Sequence, residues 1–224
     1  MSATYERLGM IIALDGPSAA GKGTLSRRLA DHYRLALLDT GLIYRAVAHH
    51  VLAAGASVNE REAAIAAAAN LRTDDLKTPG LRAEATGAMA SKVAAIPEVR
   101  LHLIDFQRKF ARHPPSGAAG AILDGRDIGT VICPDADVKI FLTASQEARA
   151  ERRFQELRTG GHDTIKARVL ADMRERDARD SARSAAPLVP AADAFVLDTT
   201  ALSADQVFER VVGHIEAKRA GRGS

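Results

Sequence analysis

The residues best equipped for chemistry in this chain are Gly16, Pro17, Ser18, Ala19, Ala20, Gly21, Lys22, Gly23 and Thr24. They follow an apolar run, Met10 to Leu14, and precede a helical pattern of Leu25, Arg28, Leu29 and His32. Strand, glycine loop and helix in that order are the setting in which G-x-x-x-x-G-K cradles phosphate. The glycines let successive backbone N–H groups turn inward, and the helix adds its unpaired N–H groups and positive dipole end. Lys22 supplies a full cation. The strict signature has Ser or Thr at 23, where this chain has Gly, so the hydroxyl falls to Thr24. The competing reading is a strand-to-helix turn that happens to be rich in glycine.

A second group sits at the ends of other apolar runs, where open α/β sheets bind ligands. Leu35 to Leu38 ends in Asp39, Thr40 and Gly41, and a helix is expected from Leu42 to Ala54 with Tyr44 and Arg45 in its first turn. Arg45 could hold a phosphate through two N–H groups or be a solvated surface charge. Gly120 to Leu123 ends in Asp124, Gly125, Arg126 and Asp127. Asp124 fits a partner for hydrated magnesium, or a plain strand-end cap. Arg126 and Asp127 could pair with one another. Alternatively, Asp127 accepts from an exocyclic amino group while Arg126 holds a phosphate. Further on, a helix capped by Ser145 carries Arg149, Arg152 and Arg153 and breaks at Thr159, Gly160 and Gly161. A second helix, starting at Asp163 or Thr164, carries Arg174, Arg176, Arg179 and Arg183. Two such arms suit a lid over phosphates, or an exposed helix laced with i,i+4 ion pairs such as Glu175–Arg179 and Arg176–Asp180.

Elements that could position these residues follow from periodicity. Helices are expected over 60–70, 83–95 and from Pro97 to His113, the last with Val99, Leu103, Phe106 and Phe110 on one face. Between 71 and 81 the pattern reads as loop or weak hairpin. Strands are expected at Val138–Leu142 and Ala194–Leu197, and a final helix over 204–218, capped by Ser203, turns Val207, Val211 and Ile215 inward. Strands alternating with helices predict an α/β three-layer sandwich around a parallel sheet of about five strands.

Composition narrows the function. At 224 residues and 46% hydrophobic content, one core with small inserted lids fits without splitting the chain. Aromatic content of 4% and no Trp argue against stacking on single-stranded nucleic acid. A net charge of +3 with clustered arginines points to a small polyanion rather than a nucleic-acid backbone. The first nine residues hold no apolar stretch and argue against a secretory signal, and no run approaches the roughly 18 apolar residues of a membrane span. The single Cys133 reads as a buried structural thiol and fits a reducing cytoplasm. The seven His show no metal-binding spacing.

The blocks GPSAAGKGT, LLDTGLIYR, SKVAAIPEVR, DGRDIGTVICPDADVKIFL and RERDARDSARSAAPLVPAAD, in this order over about residues 10–200, resemble the bacterial cytidylate kinases. GPSAAGKGT alone indicates only a nucleoside-monophosphate kinase or a relative; GRDIGTV followed by PDADVKIFL, with APLVPAAD downstream, is more specific. The resemblance implies a P-loop kinase that moves the γ-phosphoryl of ATP to CMP or dCMP with Mg²⁺. It implies one domain over 1–224, with core segments about 8–40, 118–150 and 184–220. A helical monophosphate-binding insert at 41–115 and a short arginine-rich lid at 153–170 complete it. Gly16 to Thr24 match the ATP phosphate loop, with Thr24 and Asp124 toward the metal. Thr40, Tyr44 and Arg45 match the monophosphate side; Ser91, Arg100 and Asp127 match readers of the cytosine edge. Arg126 and Arg183 match phosphate ligands, Arg176 and Asp180 match residues near the acceptor ribose and phosphate, and Arg149, Arg152 and Arg153 fall in the lid. Lys22, Arg126, Arg152, Arg153 and Arg176 are the expected catalytic charges. Small nucleotides are the expected partners, with no nucleic acid, no membrane and a monomeric state. The stretch LRTDDLKTPG is shorter than the insert with a small antiparallel sheet that such kinases carry before LRAEATGAMASKVA.

Overall fold

The computed structural model describes residues 9–55, 61–115, 117–161, 163–181 and 187–221. Alternation along β1, Met10–Asp15, decides the architecture: Ile11 and Ala13 face one side, Ile12 and Leu14 the other, and all four are buried. A strand apolar on both sides needs cover on both sides, the condition met in parallel sheets. β1 pairs in parallel with β3 (Gly120–Asp124) and β4 (Val138–Thr143). β2 (Ala36–Asp39) lies outside β3, and β5 (Phe195–Asp198) outside β4, giving a sheet of 5 parallel strands ordered β2-β3-β1-β4-β5. The register sets Leu14 and Asp39 on either side of Asp124. The carboxylates Asp15, Asp39 and Asp124 thus end at one edge of the sheet.

On one face, Ile11, Ala13, Leu38 and Leu123 pack against helices α2 (Thr40–Ala53), α3 (Arg61–Ala69), α4 (Glu84–Val93) and α5 (Pro97–Arg112). On the other, Ile12, Leu14, Ile140 and Leu142 meet Leu25 and Leu29 of α1 (Lys22–Tyr33) and Val207, Val211 and Ile215 of α8 (Ala204–Ala220). Each fully buried Leu or Ile contributes about 1.5–3 kcal/mol. The three-layer α/β sandwich expected from the sequence is the fold observed. Helices α6 (Gln146–Thr159) and α7 (Lys166–Ser181) form a hairpin with a small core of their own: Ala150, Leu157, Val169 and Met173. Among the described residues, no helix is long and apolar enough to cross a membrane.

Caps explain several boundaries. Ser145 accepts from Ala148 N–H at 3.2 Å to start α6, and Ser203 and Gln206 cap each other's backbone N–H at the start of α8. Three expectations shift. α2 begins at Thr40, not Leu42, because the Thr40 hydroxyl donates to the Asp124 carbonyl at 2.8 Å and ties the helix start to β3; Tyr44 and Arg45 therefore lie in its second turn. The stretch expected to be loop or weak hairpin contains a 3₁₀ turn, Thr73–Lys77, whose Asp75 carboxylate holds the Arg72 N–H at 2.7 Å. After β3 the chain makes one π turn, Ile128–Ile132, which periodicity did not signal.

Gly16 joins the sheet to the loop that follows. Its φ is 141°, and a Cβ there would stand 2.1 Å from the Leu142 carbonyl oxygen. Gly16→Ala should cost about 2 kcal/mol or more from backbone strain and this clash. The loss reads as a lower urea midpoint at unchanged slope; an unchanged midpoint would contradict the close approach.

Candidate active site

The carboxyl ends of β1, β2 and β3 open into one cleft of about 580 Å³. Its floor is the loop Gly16 to Thr24. Gly21, at φ 99°, turns the chain into α1, whose N-terminus has no side-chain cap and no acid in its first turn. Bare N–H groups and a positive dipole end are left facing the cleft, as an anion site requires. Lys22 is buried and folds back, its Nζ donating to the carbonyls of Gly16 at 2.8 Å and Pro17 at 2.9 Å. Asp124 Oδ1 stands 3.9 Å from Nζ, too far to offset desolvation, so burial and then the Arg126 charge push the Lys22 ammonium down to about 7. Burial likewise raises Asp124, with Lys22 opposing. Ser18 Oγ is buried without a hydrogen-bond partner, and Thr24 lines the cleft.

Across from the loop, guanidinium groups converge. Arg126 Nε donates to Asp180 Oδ2 at 3.1 Å, and Arg176 Nε lies 4.0 Å from the same oxygen, buried with no hydrogen bond of its own. Burial, then Arg126, pushes Arg176 down to about 10. Arg45 donates to the carbonyls of Leu81 at 2.8 Å and Ala83 at 3.2 Å, and burial followed by the Arg153 charge lowers its pKa. It lies over Gly87 of α4, where a Cβ would meet Nη2 at 2.6 Å. Deeper in, Arg100 on α5 donates to Asp127 Oδ2, both side chains buried. Tyr44 holds its ring 5.9 Å from the Arg100 guanidinium carbon. Beside this pair, Ser91 Oγ is buried with no hydrogen-bond partner. Buried polar atoms are almost always bonded, and the two orphans on the cleft wall, Ser91 Oγ and Arg176 Nε, mark where a ligand would supply partners.

A second, smaller slot of about 170 Å³ adjoins the loop, lined by Leu25, Leu202 and Val207 beside Gly21 and Thr24. Arg152 stands between slot and cleft and donates to Thr199 Oγ1 at 3.0 Å. That hydroxyl also lies 3.0 Å from the Ala20 carbonyl, so Arg152 is tied to the phosphate loop through one threonine.

Most residues singled out from sequence share this cleft, but several do so differently from expectation. Arg126 and Asp127 do not pair with one another; they turn to Asp180 and Arg100. Along α7 the arginines divide: Arg179 pairs with Glu175 at i,i+4 spacing, while Arg176 lines the cleft. Arg149 binds Asp177 with both Nη atoms, at 3.2 and 2.6 Å, and the carbonyls of Ala144 and Ser18, a bolt between α6, α7 and the loop. Arg153 pairs with Glu156 at 2.9 Å and does not line the cleft, although its charge lowers the pKa of Arg45 and Arg176. Arg183 lies outside the described residues. Sequence reasoning missed the charged lining residues Arg27, Arg82 and Glu156. Arg27 could have been found, since it follows Gly23 by one helical turn. Arg82 carries no comparable signal.

A parallel sheet with a phosphate loop after its central strand and a cationic wall opposite defines the P-loop kinase class of α/β proteins. A family model described as cytidylate kinase matches residues 12–217. The chain is 60% identical over 197 residues to the cytidylate kinase of Rhodospirillum rubrum, covering 88% of this chain and 92% of that one. It is 57% identical over 208 residues to the cytidylate kinase of Methylocella silvestris, covering 93% and 94%. The chain belongs to the cytidylate kinase family. In fold alone it also resembles an uncharacterized protein from Eubacterium ventriosum whose crystal structure aligns at a TM-score of 0.51 and 14% identity, over 92% of this chain and 98% of that one.

The Lys22 ammonium costs stability in the nucleotide-free protein. Its folded pKa of about 7 lies below the ordinary 10.5, so the unfolded chain binds more protons between those values and stability rises with pH across that window. Lys22→Met should therefore melt higher than the parent at pH 6.5, by about 2–4 °C per kcal/mol recovered, and the advantage should shrink by pH 9.5. Melting curves at both pH values check this; a gap independent of pH would contradict it.

Proposed function

We propose that this protein transfers the γ-phosphoryl group of ATP to CMP or dCMP, giving ADP and CDP or dCDP. The observation that carries the choice of acceptor is the buried Arg100–Asp127 pair beside the unpartnered Ser91 Oγ, in the same cleft as Lys22. The second Asp127 oxygen suits the N4 amino group of cytosine, while Arg100 and Ser91 donate to N3 and O2. Uracil would turn a carbonyl against the carboxylate, and a buried polar mismatch costs about 1–3 kcal/mol, or about 5- to 150-fold.

Gly16 to Thr24 wrap the donor phosphates, with Lys22 swinging from the carbonyls of Gly16 and Pro17 onto phosphate oxygens. The apolar slot takes the donor base, with Arg152 across its mouth. Thr40, Tyr44, Arg45, Arg126 and Arg183 hold the acceptor phosphate, and Arg176 and Asp180 reach the acceptor ribose and phosphate. The acceptor phosphate oxygen is itself the nucleophile, so no side chain needs to attack or to take a proton from carbon. The protein positions two polyanions and neutralises their charge. The donor set of Thr24 and Asp124, hard oxygens at the loop and a strand tip, fits Mg²⁺ held partly through water. When bound, the ion screens charge between the phosphates. The insert at 41–115 and the α6–α7 lid at 153–170 close around the nucleotides and exclude water, which suppresses ATP hydrolysis. A monomer in the cytoplasm suffices for this chemistry.

A coupled assay with CMP, dCMP, UMP, AMP and shikimate tests the reading: CMP and dCMP should be used best, and a preference for UMP would overturn it. Arg126→Ala should weaken CMP use about 10²- to 10³-fold, the scale of losing one transition-state donor, with ATP binding much less affected. Equal losses for both nucleotides would contradict the division of the cleft.

A further inference from the structure

The π turn Ile128–Ile132 is gripped at both ends by residues outside the motifs that carry the nucleotide contacts. At its start, the Asp15 carboxylate accepts the N–H groups of Ile128 and Gly129, each at 2.8 Å. At its end, the Arg108 guanidinium of α5 donates to the carbonyls of Ile132 at 3.0 Å and Val131 at 2.9 Å. An anion on free N–H groups and a cation on free carbonyls are the arrangement a short helical turn needs at each end. Asp127 is the residue this turn hangs from. Its carbonyl accepts from Val131 N–H at 2.9 Å and Ile132 N–H at 3.2 Å, and its carboxylate accepts from Arg100. Arg100 and Arg108 stand 8 positions apart on α5, so one helix holds the carboxylate and the far end of the turn together. Gly129 is closely packed here: a Cβ there would lie 3.4 Å from Asp15 Oδ2 and 3.3 Å from Lys139 Cδ.

We infer that Arg108 and Asp15 are positioning residues for the acceptor base: by clamping the two ends of the π turn they fix the Asp127 carboxylate where it meets the cytosine edge. This rests on the reading of Asp127 as a base reader. Arg108 donates to the Val131 carbonyl, and the Ile132 N–H of that same peptide donates to the Asp127 carbonyl, two bonds that polarise one another; Arg100 then donates to the carboxylate of the same Asp127. A single turn with π geometry has little stability of its own, and such turns recur at functional sites. Asp15 also precedes Gly16 directly, so the residue that starts the phosphate loop grips the peptide beside the base reader.

The test compares Arg108→Met, which keeps the stem and removes the charge, with Arg108→Lys, which restores one donor. Asp127→Ala serves as the control, and melting curves confirm folding. A displacement of about 1 Å in a site costs up to about a hundredfold, so Arg108→Met, with Asp15 and Arg100 still in place, should raise KM for CMP about tenfold. The ratio of CMP to UMP use should fall with it, KM for ATP should stay within about twofold, and Arg108→Lys should recover part of the loss. A merely structural role predicts equal changes for ATP and CMP with discrimination kept, and that outcome overturns the inference. If Asp127→Ala relaxes discrimination while Arg108→Met leaves it intact, the inference alone fails. If Asp127→Ala leaves discrimination intact, the reading of the base site fails as well.

Discussion

Gathering cations in one cavity before their counter-ions arrive is the constraint on which the rest of this structure depends. Lys22, Arg45, Arg126 and Arg176 are near enough for their fields to act on one another, and burial compounds the effect, lowering the pKa of Lys22, Arg45 and Arg176. Isolated charges in such surroundings would be prohibitive, and Lys22, Arg45 and Arg126 each find acceptors within the protein. Lys22 borrows two backbone carbonyls, Arg45 borrows two more, and Arg126 leans on Asp180. None of these partners is a full ionic match for the cluster. A polyanion entering the cleft would replace weak, borrowed contacts with strong ones, which is how repulsion among the cations turns into affinity for phosphate.

Much of this was legible in the sequence because local chemistry and global position coincide there. The run Met10 to Leu14 is apolar at every position, and that alone requires a strand covered on both faces. Gly16, Gly21 and Lys22 carry their geometry in their residue types. The tips of β2 and β3 announced themselves by the abrupt change from leucine to aspartate. What could not be read was pairing. Arg126 and Asp127 are neighbours in sequence, and only the π turn sends them to different partners. Arg149 carries the same composition signal as Arg152, yet the facing Asp177, supplied by another helix, makes it a structural bolt. The start of α2 was misjudged by two residues because the Thr40 hydroxyl bonds to a strand distant in sequence.

The aspartates at the carboxyl edge show how one residue type is put to several uses. Asp15 and Asp124 are both buried beside Lys22, and burial raises the pKa of each, Asp15 to about 6. Asp15 spends both oxygens on backbone N–H groups of Ile128 and Gly129, whereas Asp124 faces the cleft. Asp39, next along the edge, is half-exposed and meets Arg82 at 3.0 Å. The partner, not the residue type, separates scaffold from site.

The α6–α7 hairpin keeps its apolar contacts largely to itself. Ala150, Leu157, Val169 and Met173 pack on one another, with Phe154, Leu170 and Ala19 of the phosphate loop alongside. Among the described residues its ties to the body include polar ones: Asp180 to Arg126, Arg152 to Thr199, Arg149 to the Ser18 carbonyl and Ser145 to Thr200. Swinging such a unit outward would wet little oily surface, so the toll of opening is set by a few exchangeable polar bonds that water can replace. A door hung this way can move often without loosening the house.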